Sequence, residues 1–481
     1  MVDNEFTVTP QSLPKMPTHV SGLDEVLHGG LPEGRLTIIN GAPGTGKSVL
    51  GLEISVRVAE AGGSAIYISF EETSDTIRTN ALSLGWDLAA IERRGKLALI
   101  NPEIKFDAPA SGDFNIDGLC AIIAGQAKRI GAKFIVLDAV DMLMRMFSDS
   151  EKMHSQLITL HRCLRSNNLT AILTVKAEGS TRWEYAYLDF MADCVINLDQ
   201  RIENQVNTRR LRVVKYRGSN YASREQPFII TDRGFVVMPL SSVDLVQESK
   251  RDLVSVDNVQ LDTLLGGGYS RGSAVLISGP SGSGKTTLAF TLSVAAARRG
   301  ERVIYLSFEQ SEPALISDMK SIGFDLEPLV NEGSLLITPI MPESLGMEEH
   351  LYRIIRQIEE YQPDHLVVDA ISATPRIGSK QAATDFLIRL LHATKKRGIT
   401  CIYTNQTFPA VESDLEISGA GISSLVDTAV LLGYFRKENQ VARSLLVLKS
   451  RGIHHSTLYN EFQITDHGIT INGSFTLDAN G

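Results

Sequence analysis

Two stretches, GAPGTGKS at 41–48 and GPSGSGKT at 279–286, have the types and spacing to hold a polyphosphate. Each is a complete G-x-x-x-x-G-K-[ST] loop, whose glycines let the backbone curl with its N–H groups pointing inward. Lys47 and Lys285 can reach terminal phosphates as point charges, and Ser48 and Thr286 can offer a hydroxyl to Mg²⁺. The phosphate-binding sets are Gly44, Thr45, Gly46, Lys47, Ser48 and Val49 in the first loop. In the second they are Gly282, Ser283, Gly284, Lys285, Thr286 and Thr287.

Further residues could do chemistry beside these loops. FIVLD and LVVD are apolar runs ending in an acid, so Asp138 and Asp369 are candidate metal carboxylates of the Walker B kind. SFEE brings Glu71 and Glu72, and SFEQ brings Glu309 and Gln310, each at the close of the next apolar run. A carboxylate there can orient or deprotonate an attacking oxygen. The plainer reading is a cap or first-turn acid for the helix that follows. An amide at 310 can position a group but cannot accept a proton, so the second site is expected to differ in rate or task. K-x-R-G supplies Lys215 with Arg217 and Lys449 with Arg451, two cations on one face of a strand. They suit either an arginine-finger role toward a neighbouring subunit's γ-phosphate or the gatekeeping charge of an edge strand. Arg145 and Arg376, each seven residues past the strand-end acid, are weaker candidates for similar work.

The elements that must position these residues repeat. Lys47 and Lys285 are 238 positions apart, Glu71 and Glu309 238, Asp138 and Asp369 231, and Lys215 and Lys449 234. Such a steady offset describes one fold duplicated in tandem, with domains expected over 1–245 and 246–481. The join falls in the polar stretch 241–257. Within a copy, β-like and helical runs alternate. An α/β fold is predicted, each domain a mostly parallel sheet flanked by helices and closed by antiparallel strands. Ligands in such sheets bind at the carboxyl ends of the strands, and the repeated motifs are all expected there.

Composition narrows the class. With 481 residues and 43% hydrophobic content, each half can bury a core of its own. A net charge of −9 argues against a broad nucleic-acid footprint. The stretch TRRLRVVKYR reads as a basic strand, but with that charge and no obvious DNA-binding module a DNA-active relative is the lesser reading. Cys120, Cys163, Cys194 and Cys401 lack metal spacing and are read as small buried hydrophobes. Neither a signal peptide nor an apolar run long enough to span a bilayer is evident, so a cytoplasmic protein is expected.

Taken together, P-loop, F-E-E/Q, Walker B acid and K-x-R-G in tandem resemble the circadian-clock ATPase family KaiC, over about residues 15–475. The resemblance implies two RecA-like domains, ATP and Mg²⁺ as cofactors, and a homohexamer with nucleotide between subunits. It implies slow ATP hydrolysis in the first ring and serine or threonine autokinase activity in the second. The family's phosphosite stretch falls on SGAGISSLVDTAVLL, which makes Ser423 and Ser424 the implied phosphosites, with Ser418 at a further hydroxyl position. The matching part of the first copy, YLDFMADCVINL, has no such serine pair. Clock members that answer to KaiA carry a tail longer than NGSFTLDANG, so control by KaiA is not expected. A KaiB-like or histidine-kinase signalling partner is the implied output. A nucleotide-stabilised scaffold with little turnover is the other reading.

Overall fold

The computed structural model describes residues 13–102, 116–145, 147, 150–176, 186–203, 206–239, 252–377, 379–407, 424–437 and 439–476. The chain divides into two compact units, Met1–Ile202 with Asn207–Ser242, and Val243–Gly481 with Glu203–Val206.

Each unit is built on a nine-stranded sheet. In the first, the P-loop strand Leu36–Gly41 lies between Thr170–Lys176 and Cys194–Glu203, parallel to both. Phe134–Asp138, Ala65–Ser69 and Leu97–Ile100 extend the parallel side in that order. On the other side Val206–Tyr216, Gln226–Thr231 and Gly234–Val237 continue the sheet, the last two an antiparallel hairpin. The second unit repeats the order, with Ala274–Gly279 as its P-loop strand between Thr400–Gln406 and Thr428–Lys437. The parallel sheet with antiparallel closure follows from the sequence pattern. Central strands such as Phe134–Asp138 and His365–Asp369 are buried throughout, because helices cover both faces.

Alternation divides the core. Tyr67 packs with Leu50, Ile54 and Val136 on one face of the first sheet, while Ile66 and Ile68 pack with Ile135, Leu157 and Leu160 on the other. The strand starts differ between units. Phe134 fills the first, whereas His365 stands at the same point of the second, fully buried, its Nε2 3.1 Å from the Tyr269 hydroxyl. Its Nδ1 is 3.6 Å from Glu301, which is itself paired with Arg271 and Arg299. Burial outweighs that attraction and pushes the imidazole down to about 4.

Two expectations need correction. Cys194 and Cys401 are buried, but Cys120 and Cys163 are only partly buried neighbours on the adjacent helices Ile116–Ile130 and Ser150–Ser166, with Cys120 packed against the core. The second correction concerns the K-x-R-G cations and follows from strand direction, below.

Candidate functional site

Each P-loop joins a parallel strand to a 14-residue helix, Lys47–Glu60 or Lys285–Arg298. The last glycine before each helix is left-handed, φ 97° at Gly46 and 101° at Gly284. A Cβ at Gly46 would come within 2.6 Å of Ile230, so the closing hairpin adds a steric demand to the conformational one. Neither helix has a side-chain cap, which leaves its first N–H groups to a ligand. Lys47 Nζ donates to Gly41 O at 2.8 Å and Ala42 O at 3.0 Å, and Lys285 Nζ to Pro280 O at 2.8 Å. Burial lowers both ammonium pKa values, and Asp138, Asp141 and Glu71 oppose this at Lys47. Asp369 and Glu309 do the same at Lys285. The lysine, the strand-end acid and the first glutamate of each F-E-E/Q stretch therefore share one electrostatic neighbourhood.

The strand-end acids are buried and heavily hydrogen-bonded. Asp138 accepts from Ser48 Oγ at 3.1 Å and from Thr174 Oγ1 at 2.5 Å. One oxygen of Asp369 accepts from Thr286 Oγ1 at 2.8 Å and from the Tyr305 hydroxyl at 2.6 Å, and the other accepts from Thr404 Oγ1. The Tyr67 hydroxyl instead donates to Ser48 O at 3.4 Å beside Asp138, and burial first, then the carboxylate, drives both tyrosines well above the usual phenol range. A hydroxyl and a carboxylate this close at a P-loop are a donor set that fits Mg²⁺. Tyr67, Tyr305, Thr174 and Thr404 were not singled out from sequence. The available signal was recurrence, since AIYIS matches VIYLS and TAILTV matches TCIYTN.

Glu71 and Glu309 are exposed and lie in the bend after the buried Phe70 and Phe308. Ser69 is paired in register with Asp138, and Ser307 with Asp369, which fixes each glutamate two residues beyond the neighbour of its strand-end carboxylate. The caps of the following helices are Thr73 and Ser311. Capping therefore does not occupy either glutamate. Glu72 and Gln310 do have side-chain partners, Asn80 at 3.1 Å and Asp318 at 2.9 Å.

The K-x-R-G cations lie at the opposite end of their sheets. Thr37 pairs with Cys194 and Gly41 with Leu198, so Cys194 marks the end away from the P-loop. Arg217 N donates to Asp193 O at that same end. In the second unit Val275 pairs with Thr428, and Ala429 with Lys449. The antiparallel run of the closing strand carries these residues away from the carboxyl ends, contrary to the expectation for all motifs. Lys215 Nζ donates to Asp189 O at 2.5 Å, and Arg217 Nη2 to Phe190 O at 2.8 Å. Lys449 Nζ donates to Val426 O at 2.7 Å, and Arg451 Nη2 to Ser424 O at 2.6 Å. Burial lowers both lysines, and the adjacent arginine lowers each further. Ser424 is exposed beside these cations; Ser418 and Ser423 lie outside the described residues. Arg145 and Arg376 are exposed just past the Walker B strands. Among the described residues no group of three His, Cys, Asp or Glu could hold a metal, and no helix is long and apolar enough to cross a membrane.

Comparison with known proteins agrees with this geometry. The family described as "ATPase: KaiC" matches twice, over residues 16–242 and 258–474. The circadian clock protein KaiC2 of Synechocystis sp. is 34% identical over 474 residues, covering 98% of this chain and 83% of the relative. The circadian clock oscillator protein KaiC of Parathermosynechococcus lividus is 32% identical, covering 97% and 86%. That of Synechococcus elongatus is also 32% identical, covering 97% and 90%. With the family matching both halves and relatives 32–34% identical over nearly the whole chain, the chain belongs to the KaiC family of ATPases.

Proposed function

We propose that both units bind ATP and hydrolyse it, and that the second also transfers a phosphoryl group to Ser423 or Ser424. The observation that carries this is the split of each charge set across its sheet. Lys47, Ser48, Asp138 and Glu71 gather at one end, and Lys215 and Arg217 at the other. A site of this design is completed by a neighbour. Head-to-tail contact between copies joins one subunit's cations to the next subunit's P-loop, and closes into a ring when the rotation allows. A homohexamer is the ring we infer.

In each site the N–H groups of the loop and the lysine would hold the phosphates. Ser48 with Asp138, and Thr286 with Asp369, would hold Mg²⁺, which supplies charge neutralisation during transfer. Glu71 or Glu309 accepts the proton of the attacking O–H, water or serine. The new O–P bond forms as the bond to the ADP oxygen breaks. The neighbour's Lys and Arg stabilise the charge that develops. Ser424 shares an end with Lys449 and Arg451, so the serine phosphorylated would belong to the subunit that lends the cations. Phosphate there adds roughly −1.5 to −2 charge beside those cations. That would alter how adjacent subunits pack and so what they bind, a phospho-switch suited to timing or signalling. The relatives' names, circadian clock proteins, agree with such a role.

The test is incubation of the intact chain with γ-labelled ATP and Mg²⁺, with the label mapped by mass spectrometry. Label on Ser423 or Ser424, lost in Ser423→Ala/Ser424→Ala, is expected. Phosphate release without protein label would leave the ATPase and remove the autokinase.

A further inference from the structure

Glu72 and Gln310 stand at matched positions 238 apart, and so do Asn80 and Asp318. In the first unit the Asn80 amide donates to the Glu72 carboxylate, Nδ2 to Oε2 3.1 Å. In the second the Gln310 amide donates to the Asp318 carboxylate, Nε2 to Oδ2 2.9 Å. Acid and amide have changed places, and the bond remains. It ties the turn at the strand end to the second turn of the next helix, Ser74–Leu82 or Glu312–Lys320.

The same turn is held from beneath. Ser69 Oγ accepts from Glu72 N at 3.0 Å, and Asn101 Nδ2 donates to Glu72 O at 2.8 Å. Ser307 Oγ accepts from Gln310 N at 3.1 Å and donates to Gln310 O at 2.7 Å. With residue 72 or 310 fixed through both backbone and side chain, the residue left at the crown is Glu71 or Glu309.

We propose that Glu72 and Gln310 are positioning residues, each half of a carboxylate–amide clamp that sets the turn presenting Glu71 or Glu309. A base depends on one atom that can take a proton, and an amide has none. A clamp depends on the pair, and only a clamp explains why the change at 310 is matched by the reciprocal change at 318. Gln310 is then no defect, and the second acid of F-E-E is not a catalytic residue. The proposal rests on Glu71 and Glu309 as the proton acceptors.

The test uses the full chain carrying Glu309→Gln, so that phosphate release reports the first unit. Asn80→Asp sets two carboxylates against each other and is expected to lower kcat about fivefold at unchanged KM and melting temperature. The rate should recover as pH falls toward 5, because opposed carboxylates share a proton. Adding Glu72→Gln to Asn80→Asp rebuilds the pair in reverse and should restore kcat to within about twofold. The mirror case, on Glu71→Gln, is Gln310→Glu, which completes the acid pair yet should slow the second unit until Asp318→Asn is added. Two results would overturn the clamp: an Asn80→Asp rate equal to the parent, or a reversed pair as slow as Glu71→Gln. If Glu71→Gln itself leaves release unchanged, the proton-acceptor reading fails and the clamp's purpose falls with it.

Discussion

Around its strand-end carboxylate the first unit sets Tyr67, Thr174 and Ser48; the second sets Tyr305, Thr404 and Thr286. At the far end of the same strand the units part, with Phe134 in one and the neutral, buried His365 in the other. Between these extremes lies the clamp, where the contact is kept and its polarity reversed. Duplicated domains thus tolerate change in proportion to how replaceable the interaction is. Packing at a strand start accepts a group of fitting shape, even though His365 Nδ1 makes no hydrogen bond there. A hydrogen bond accepts either direction. A hydroxyl–carboxylate cluster at a phosphate loop accepts only serine for threonine.

The comparison can be broken at the histidine. The folded pKa of His365 lies near 4, below its ordinary 6.5, so the unfolded chain binds the proton more readily. The second unit should lose stability as pH falls from about 6.5 to 4, by up to ~3 kcal/mol at 1.36 kcal/mol per unit. Phe134 makes no such contribution at the matched point of the first unit, although burial lowers His161 there as it lowers His350 in the second. Denaturant melts across this range, with His365→Phe as the control, should show the loss in the second unit shrink by the His365 share in the variant.

It can be sharpened at the P-loops. Lys47→Ala and Lys285→Ala should each weaken nucleotide binding about a hundredfold at one site and spare the other. Calorimetric titration with a non-hydrolysable ATP analogue would count one site instead of two. A smaller effect is expected beside the carboxylates. Thr174→Val and Thr404→Val each remove a hydroxyl that donates to a buried acid, and each should cost its own unit about 1–3 kcal/mol. Equal losses would support equivalent clusters, and a loss confined to one unit would show that the likeness is only geometric.

Much of this was legible beforehand. Complete loop motifs between an apolar run and a helical run specify strand, turn and helix together, so the P-loops and the parallel sheet could be read directly. The constant offset between Lys47 and Lys285 and between Glu71 and Glu309 exposed the duplication. The location of K-x-R-G was not legible, because sequence shows that two cations share a face but not which way their strand runs. The clusters around Asp138 and Asp369 escaped for a related reason: Tyr67 and Thr174 come from separate strands that only the sheet order brings together. The clamp was visible as two reciprocal changes, yet nothing in the sequence says that position 72 faces position 80 across a turn.

The most direct measurement is steady-state phosphate release from the intact chain beside Glu71→Gln, Glu309→Gln and the double variant. The account predicts that each single change removes one unit's share, about 10²–10⁴-fold at that site, and that the double falls to background. A double variant that releases phosphate at the parent rate would contradict it.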